Sequence, residues 1–324
     1  NRIMKQTSFA IGCLVQWYEI EIYKEYLDTL IQAVGNNKDD IIIDICLVVN
    51  QDLEKISDET SMLTDIMARY LELSNKYQLQ GYRIDYRITS DLVTIADYRR
   101  EFNDKYCEKV DLLIWGETDM LVPKQMFTSL NILHQNVETP KYLATFSICK
   151  MWDKSWEVLE HPEFTDKPFI ENDYDNWWSL KYTMTADEMN NINDKYDDLG
   201  VIVTPNHKFN GCGLVISSEV IKAGVNIPKS VFFVHEDTAF MLMTNKVLGN
   251  IPQYIIKNIL VVHNRNHTKK RMYIKGERED GSMNQKRRSN EWYSKANKMC
   301  EQNCYNIFNP NYKSFTWKDV WNTV

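Results

Sequence analysis

The feature that most limits how this chain can fold is an alternation, over residues 9–115, of short β-branched or aromatic runs with longer stretches whose apolar residues recur at helical spacing. Residues 9–15 read as a buried strand. Residues 19–34 read as a helix with Ile20, Tyr23, Tyr26, Leu27, Leu30 and Ile31 on one face. Asn36 and Asn37 make a turn, and residues 41–49 are so continuously apolar that they suit a sheet covered on both faces. Residues 61–77 and 93–106 follow as helices, and 82–88 and 110–115 as strands. This order specifies βα units feeding a mainly parallel sheet, an α/β fold of the Rossmann-like kind.

Past Pro123 the pattern continues with a helix to about residue 133 and a strand at 142–148. A segment rich in Trp, Asp and Asn, residues 152–198, then interrupts it. Its aromatics (Trp152, Trp156, Tyr174, Trp177, Trp178) serve either as local core or as a stacking surface for a sugar or base. Regularity returns with a strand at 211–216, a short helix at 217–223 closed by Gly224, and a helix at 237–248. The polar run from Lys275 to Asn290 reads as a linker and residues 291–304 as a terminal helix. The 324 residues suffice for one enlarged α/β domain carrying a C-terminal helical extension.

A hydrophobic fraction of 44% and a charged fraction of 26% exclude a disordered or fibrous chain. No apolar run approaches the roughly 20 residues of a membrane span, and residues 1–7 are polar, unlike a secretory leader. The seven cysteines are odd in number and mostly embedded in apolar runs, which predicts buried thiols in a reducing, cytoplasmic setting. Cys300 and Cys304 lie four apart, but no second pair follows to complete a zinc site. A net charge of −7 argues against duplex binding across the whole surface. Residues 265–295 nonetheless hold ten Lys and Arg against four acids, readable as a solvated helical face or as phosphate contacts.

Three constellations carry chemistry. Asp111-Leu-Leu-Ile-Trp-Gly-Glu-Thr-Asp119 is an apolar strand running straight into two acids, Glu117 and Asp119. Ligands of open α/β sheets bind at the carboxyl ends of the strands. Two carboxylates there can hold a hard divalent cation and a ribose hydroxyl. In Val231-Phe-Phe-Val-His-Glu-Asp-Thr-Ala-Phe240, Glu236 and Asp237 stand at a helix start, where they either cap the free amides or act as a rigidly aimed base. Ile259-Leu-Val-Val-His-Asn-Arg-Asn-His267 ends a strand in two histidines, His263 and His267, that are structural or ligate a metal.

Taken in order along residues 8–267, these motifs resemble the GT-A glycosyltransferases, in particular the inverting family-two type. Leu14-Val-Gln-Trp-Tyr-Glu19 looks like the family's base-holding turn, with Gln16 and Tyr18 at the contacting positions, and Asn50 follows the second strand where the family reads base or ribose. Glu117-Thr-Asp119 resembles the DxD motif with Glu replacing the first Asp. Arg99 falls where a basic residue faces the nucleotide, and Gly211 and Gly213 lie on the glycine-bearing segment near the donor sugar. His235-Glu-Asp237 resembles the acceptor-site acid pair, with Asp237 preferred over Glu236 as base.

The resemblance implies a GT-A catalytic domain over residues 1–274, with 150–200 as an acceptor-side insertion and 275–324 as linker and extension. It also implies Mn²⁺ or Mg²⁺ held by Asp119 with His263 or His267, and a nucleotide-diphosphate sugar donor, a UDP-sugar first. The expected acceptor is a saccharide, with a modified base in DNA as the second expectation. A retaining transferase or nucleotidyltransferase, or a nucleotide-sugar-binding module without activity, are the alternatives.

Overall fold

The two most apolar runs pair side by side in parallel, as residues covered on both faces should. They are β1 (Phe9–Gln16) and β2 (Ile41–Val48). The computed structural model describes residues 5–49, 63–148, 159, 161–164, 184–204, 209–263 and 290–322. Asn50, His267, the aromatics between 152 and 178, and the basic stretch apart from its last residues lie outside the described residues.

The remaining strands are β3 (Arg83–Thr89), β4 (Leu112–Trp115), β5 (Met120–Leu121), β6 (Leu143–Ile148), β7 (Val201–Val203), β8 (Val215–Ser217) and β9 (Gln253–His263). The described strands form one sheet in the order β3-β2-β1-β4-β8-β6-β9-β5, with β7 added on β9. The pairs β1–β2, β2–β3, β1–β4 and β6–β9 are parallel. β8 runs against both β4 and β6. Two reversals restore the direction, so β1, β4, β6 and β9 all end at one edge. The fold is thus α/β with a mainly parallel, Rossmann-like sheet.

The described α-helices are α1 (Ile20–Val34), α2 (Leu63–Gln78), α3 (Ile95–Tyr106), α4 (Met126–Asn136), α5 (Ala186–Asn193), α6 (Ser218–Lys222), α7 (Glu236–Leu248), α8 (Asn290–Tyr305) and α9 (Trp317–Asn322). α1 ends at Gly35, whose φ of +55° a side chain would disfavour. No helix among the described residues is long and apolar enough to cross a membrane.

Two sequence expectations shift. The strand expected at 211–216 begins only at Val215, because Asn210 to Gly213 form a turn. Cys212 N donates to Asn210 Oδ1 at 2.8 Å, and Gly213 has φ of +76°. The strand expected to begin at residue 259 begins at Gln253. The polar pair Lys257 and Asn258 hides the continuity, and the chain absorbs it as a bulge where the β6 register jumps from Ile256 to Leu260.

A buried polar cluster seats α3 on the sheet. Asp44 on β2 is 1% exposed. It accepts hydrogen bonds from Tyr98 (2.7 Å) and Tyr106 (2.5 Å) of α3 and faces Arg87 (3.2 Å) and Lys105 (3.4 Å). Its partner across β1 is Gly12. A Cβ there would lie 2.5 Å from Phe102 and 2.7 Å from the Tyr98 hydroxyl, so α3 approaches this closely because position 12 carries no side chain. The helix starts in a capping box, Thr94 with Asp97.

Asp44→Asn keeps the volume but removes the charge and one of the two oxygens that Tyr98, Tyr106, Arg87 and Lys105 share. We expect a loss of about 1–3 kcal/mol in urea unfolding. An unchanged midpoint would show that the cluster contributes nothing to seating α3.

Candidate active site

The site begins where β4 ends. After Trp115, Gly116 N donates to Gly12 O at 2.8 Å. A Cβ on Gly116 would collide with the Tyr26 hydroxyl, so only glycine lets the chain turn out of the strand here. The next three residues, Glu117-Thr118-Asp119, therefore leave the sheet at its carboxyl edge.

Glu19 ties this turn to the end of β1. Its Oε1 accepts from Gln16 N at 3.0 Å and its Oε2 from Thr118 Oγ1 at 2.6 Å. The Gln16 side chain faces the Glu19 backbone N–H in a capping box, but its buried Oε1 closes no full hydrogen bond among the described residues. Tyr18 is half-buried beside Trp17, ring centroids 5.7 Å apart and edge to face.

Strand pairing brings His263 to the acids. Met120, the residue after Asp119, is the antiparallel register partner of His263 at the end of β9. His263 Nε2 lies 2.9 Å from Glu117 Oε2 and 3.1 Å from Asp119 Oδ1. His263 is 7% exposed and Asp119 2%. Despite the short distances, neither contact meets hydrogen-bond geometry, and Nε2 is a buried nitrogen without a hydrogen bond among the described residues. Adjacent ligands bonded at 2.0–2.1 Å on an octahedral ion stand about 3.0 Å apart. His263 Nε2 has an oxygen of each carboxylate at that spacing, and an imidazole nitrogen with carboxylate oxygens is a donor set that suits a divalent cation.

Arg99 connects this group to the second acid pair. It projects from α3 and is 1% exposed. Nη1 donates to Glu236 Oε1 at 2.7 Å, and Nη2 to Glu117 Oε1 and to Gly211 O, each at 3.1 Å. Its guanidinium carbon stands 4.7 Å from the Trp115 ring centroid. A Cβ on Gly211 would collide with Nη1, so that glycine makes room for the cation.

Burial raises the Glu117 carboxyl, but His263 and Arg99 outweigh it and hold the pKa down at about 2. Glu236 goes the other way. Burial, with Asp237 beside it, pushes its pKa up to about 7 against the pull of Arg99.

Asp237 sits in the first turn of α7, half-buried, and its Oδ1 accepts from Thr238 N at 2.7 Å. No cation among the described residues closes an ion pair on it. The turn before α7 is held by the C-terminal extension. His235, at φ +66°, is the one non-glycine residue of positive φ among those described, and its Nε2 pairs with Asn297 of α8 at 2.7 Å. Asn303 of α8 donates to Ser230 O at 3.0 Å. Phe232 packs with Ala296, Cys300 and Val320.

Of the sequence candidates, Arg99, Glu117, Asp119, Gly211, Glu236 and His263 are thus linked by direct contacts, Asp237 follows Glu236 in the chain, and Gln16 is tied through Glu19 to Thr118, between the two acids. Gly213 sits on the turn beside Met120 and Val261. Asn50 and His267 lie outside the described residues. Sequence reasoning passed over Glu19, Gly116 and Asn297. Glu19 closes the motif quoted for base contact, and its spacing to Gln16 was the available signal.

No family model matches this sequence, and no curated protein matches it. Among solved structures, a mannosyltransferase from Pyrobaculum calidifontis in complex with GDP-Man and Mn²⁺ superposes with a TM-score of 0.50 at 10% identity, over 96% of this chain and 67% of that one. TarS 1-349 of S. aureus in complex with UDP gives 0.49 at 8% identity, over 79% of this chain and 60% of that one. Glucosyl-3-phosphoglycerate synthase from Mycobacterium tuberculosis, with Mg²⁺ and UDP, gives 0.41 at 8%, over 82% and 74%. This chain spans about 60% of the length of the TarS fragment. The fold is that of the GT-A glycosyltransferases.

If Arg99 neutralises two buried carboxylates, Arg99→Met should lower stability by about 3–5 kcal/mol. Adding Glu236→Gln should then recover at least about 1 kcal/mol, since it removes one of the stranded charges. Strictly additive losses in denaturant unfolding would show that the two residues are not coupled.

Proposed function

We propose that the protein is a metal-dependent glycosyltransferase that moves a sugar from a nucleoside-diphosphate sugar to an acceptor hydroxyl with inversion. The observation that carries this reading is the convergence of Glu117, Asp119 and His263 at the carboxyl edge of a GT-A sheet, bridged through buried Arg99 to the acid pair that opens α7. The mannosyltransferase of the same fold, in complex with GDP-Man and Mn²⁺, supports a donor and a cation of this kind.

Asp119, Glu117 and His263 would hold the cation, Mn²⁺ or Mg²⁺, which supplies positive charge for the departing diphosphate. Gln16 Oε1, an acceptor that closes no full hydrogen bond among the described residues, suits a ring N–H of the base, and Tyr18 offers a stacking face. Uracil and guanine both present such an N–H, and a UDP-sugar is the donor this reading puts first. Arg99 acts as a positioning residue in this reading. Its Nη donors are taken by protein acceptors, and it fixes Glu117 and Glu236 while Asp237 makes no ion pair among the described residues.

Asp237 is the base. As the acceptor oxygen bonds to the anomeric carbon, the hydroxyl proton passes to an Asp237 oxygen and the bond from that carbon to the diphosphate breaks on the opposite face. Glu236, neutralised by Arg99, is the poorer base in spite of its raised pKa. A saccharide is the acceptor class this reading favours.

Asp119→Ala should abolish Mn²⁺-dependent binding of a nucleoside diphosphate in calorimetry, because an anionic oxygen ligand is lost and the diphosphate charge goes uncompensated. Retained metal-dependent affinity would contradict the assignment.

Asp237→Asn keeps the size and much of the capping ability while removing basicity. Transfer should fall by roughly 10²–10⁴-fold while donor affinity and melting temperature stay near wild type. Normal turnover in this variant would remove Asp237 as base.

A further inference from the structure

A soft donor lies beside Glu117 and His263. Cys212 is 4% exposed, on the turn that precedes β8. Its Sγ, a Glu117 carboxylate oxygen and a His263 ring nitrogen all lie within 4.8 Å of one another. Bonds of about 2.3 Å to sulfur and about 2.1 Å to nitrogen put opposed donors about 4.4 Å apart on one ion, so a small closing movement suffices.

The backbone around Cys212 is fixed to the strand that delivers the acids. Cys212 N donates to Asn210 Oδ1 at 2.8 Å, Gly213 N to Trp115 O at 2.8 Å, and Trp115 N to Leu214 O at 2.9 Å. Trp115 is two residues before Glu117, so the end of β4 sets the position of both side chains. A buried cysteine alone is an ordinary core residue. This one lies beside a buried imidazole nitrogen that has two carboxylate oxygens at ligand spacing and no hydrogen bond among the described residues.

Resting on the metal centre proposed above, we infer that Cys212 is a fourth protein ligand. The site then offers two carboxylates, an imidazole and a thiolate, and takes borderline cations such as Zn²⁺, Co²⁺ or Cd²⁺ ahead of Mg²⁺. The reason is donor chemistry. Carboxylates and water suit Mg²⁺, whereas a thiolate favours softer ions, and Mg²⁺ gains little from sulfur. On binding, the Cys212 S–H proton leaves to solvent as the sulfur–metal bond forms, so loading releases a proton beyond any displaced from other ligands.

The test is a Co²⁺ titration of the metal-free full chain followed by absorption. Visible d–d bands report that the ion is bound, and a near-ultraviolet thiolate-to-cobalt charge-transfer band reports sulfur as a ligand. Wild type should develop both together. Zn²⁺ should displace the cobalt stoichiometrically, and Mg²⁺ should fail to do so in large excess. Cys212→Ser should lose the charge-transfer band and bind Co²⁺ at least about 10-fold more weakly, the smallest loss that even an outer-shell partner carries. Cys13→Ser, altering the buried thiol of β1, should keep the band.

X-ray absorption of Zn²⁺-loaded wild type should show one sulfur at about 2.3 Å, a reading that needs no variant to fold. Visible bands without charge transfer, or a zinc shell without sulfur, would overturn the role of Cys212 and leave the metal centre standing. Absence of any cobalt binding would overturn both. Easy displacement of cobalt by Mg²⁺, or loss of the band in Cys13→Ser, would also overturn the inference.

Discussion

The structure depends on one buried cation. Arg99 lies between the acids that follow β4 and the acids that open α7, and its guanidinium holds a carboxylate from each. Burying a guanidinium is expensive unless its donors are satisfied and its charge compensated. Glu117 and Glu236 compensate the charge, the Gly211 carbonyl and the face of Trp115 add to them, and Nε alone of the guanidinium nitrogens is left without a hydrogen bond among the described residues. Two segments more than a hundred residues apart in sequence are thereby fixed relative to each other, and a site that would use one for the leaving group and the other for the nucleophile needs that rigidity.

Arg99 can act this way because α3 is itself locked. On one side Asp44 grips the helix through Tyr98 and Tyr106. On the other, Arg100 donates to the carbonyls of Ile227, Pro228 and Val231 at 2.8–2.9 Å, and Thr94 Oγ1 donates to Phe232 O at 2.6 Å. The segment leading to Glu236 and Asp237 is thus laced to the helix that carries Arg99. The C-terminal α8 completes the clamp, holding the left-handed turn at His235 through Asn297. The extension therefore shares in building the site, and Cys300 and Cys304, four apart in α8, are both fully buried.

Much of this was legible in the sequence because it follows from local periodicity. The apolar runs of β1, β2 and β4, the helix that carries Arg99, and the placement of Glu117 and Asp119 just past a strand all follow from residues a few positions apart. What escaped depends on pairing across the chain. His263 is expected near Asp119 through the family resemblance alone, since the pairing that puts it there, β9 antiparallel to a β5 of two residues, is too short to leave a pattern. The turn at Asn210–Gly213 reads as strand because Cys212 and Leu214 are apolar. The acceptor that breaks the strand is the Asn210 side chain. Gly211 reads as a sugar-approach glycine, whereas in the fold its missing Cβ admits the guanidinium.

The central claim is that the carboxyl edge of β4 is where cation and diphosphate meet. Anomalous diffraction from crystals soaked with Mn²⁺ and a nucleoside diphosphate tests it directly. The account places the manganese peak among Glu117, Asp119 and His263, with the diphosphate on its open side and Arg99 still joining Glu117 to Glu236. A manganese peak and nucleotide elsewhere on the molecule, with these three side chains unmoved and unligated, would contradict it.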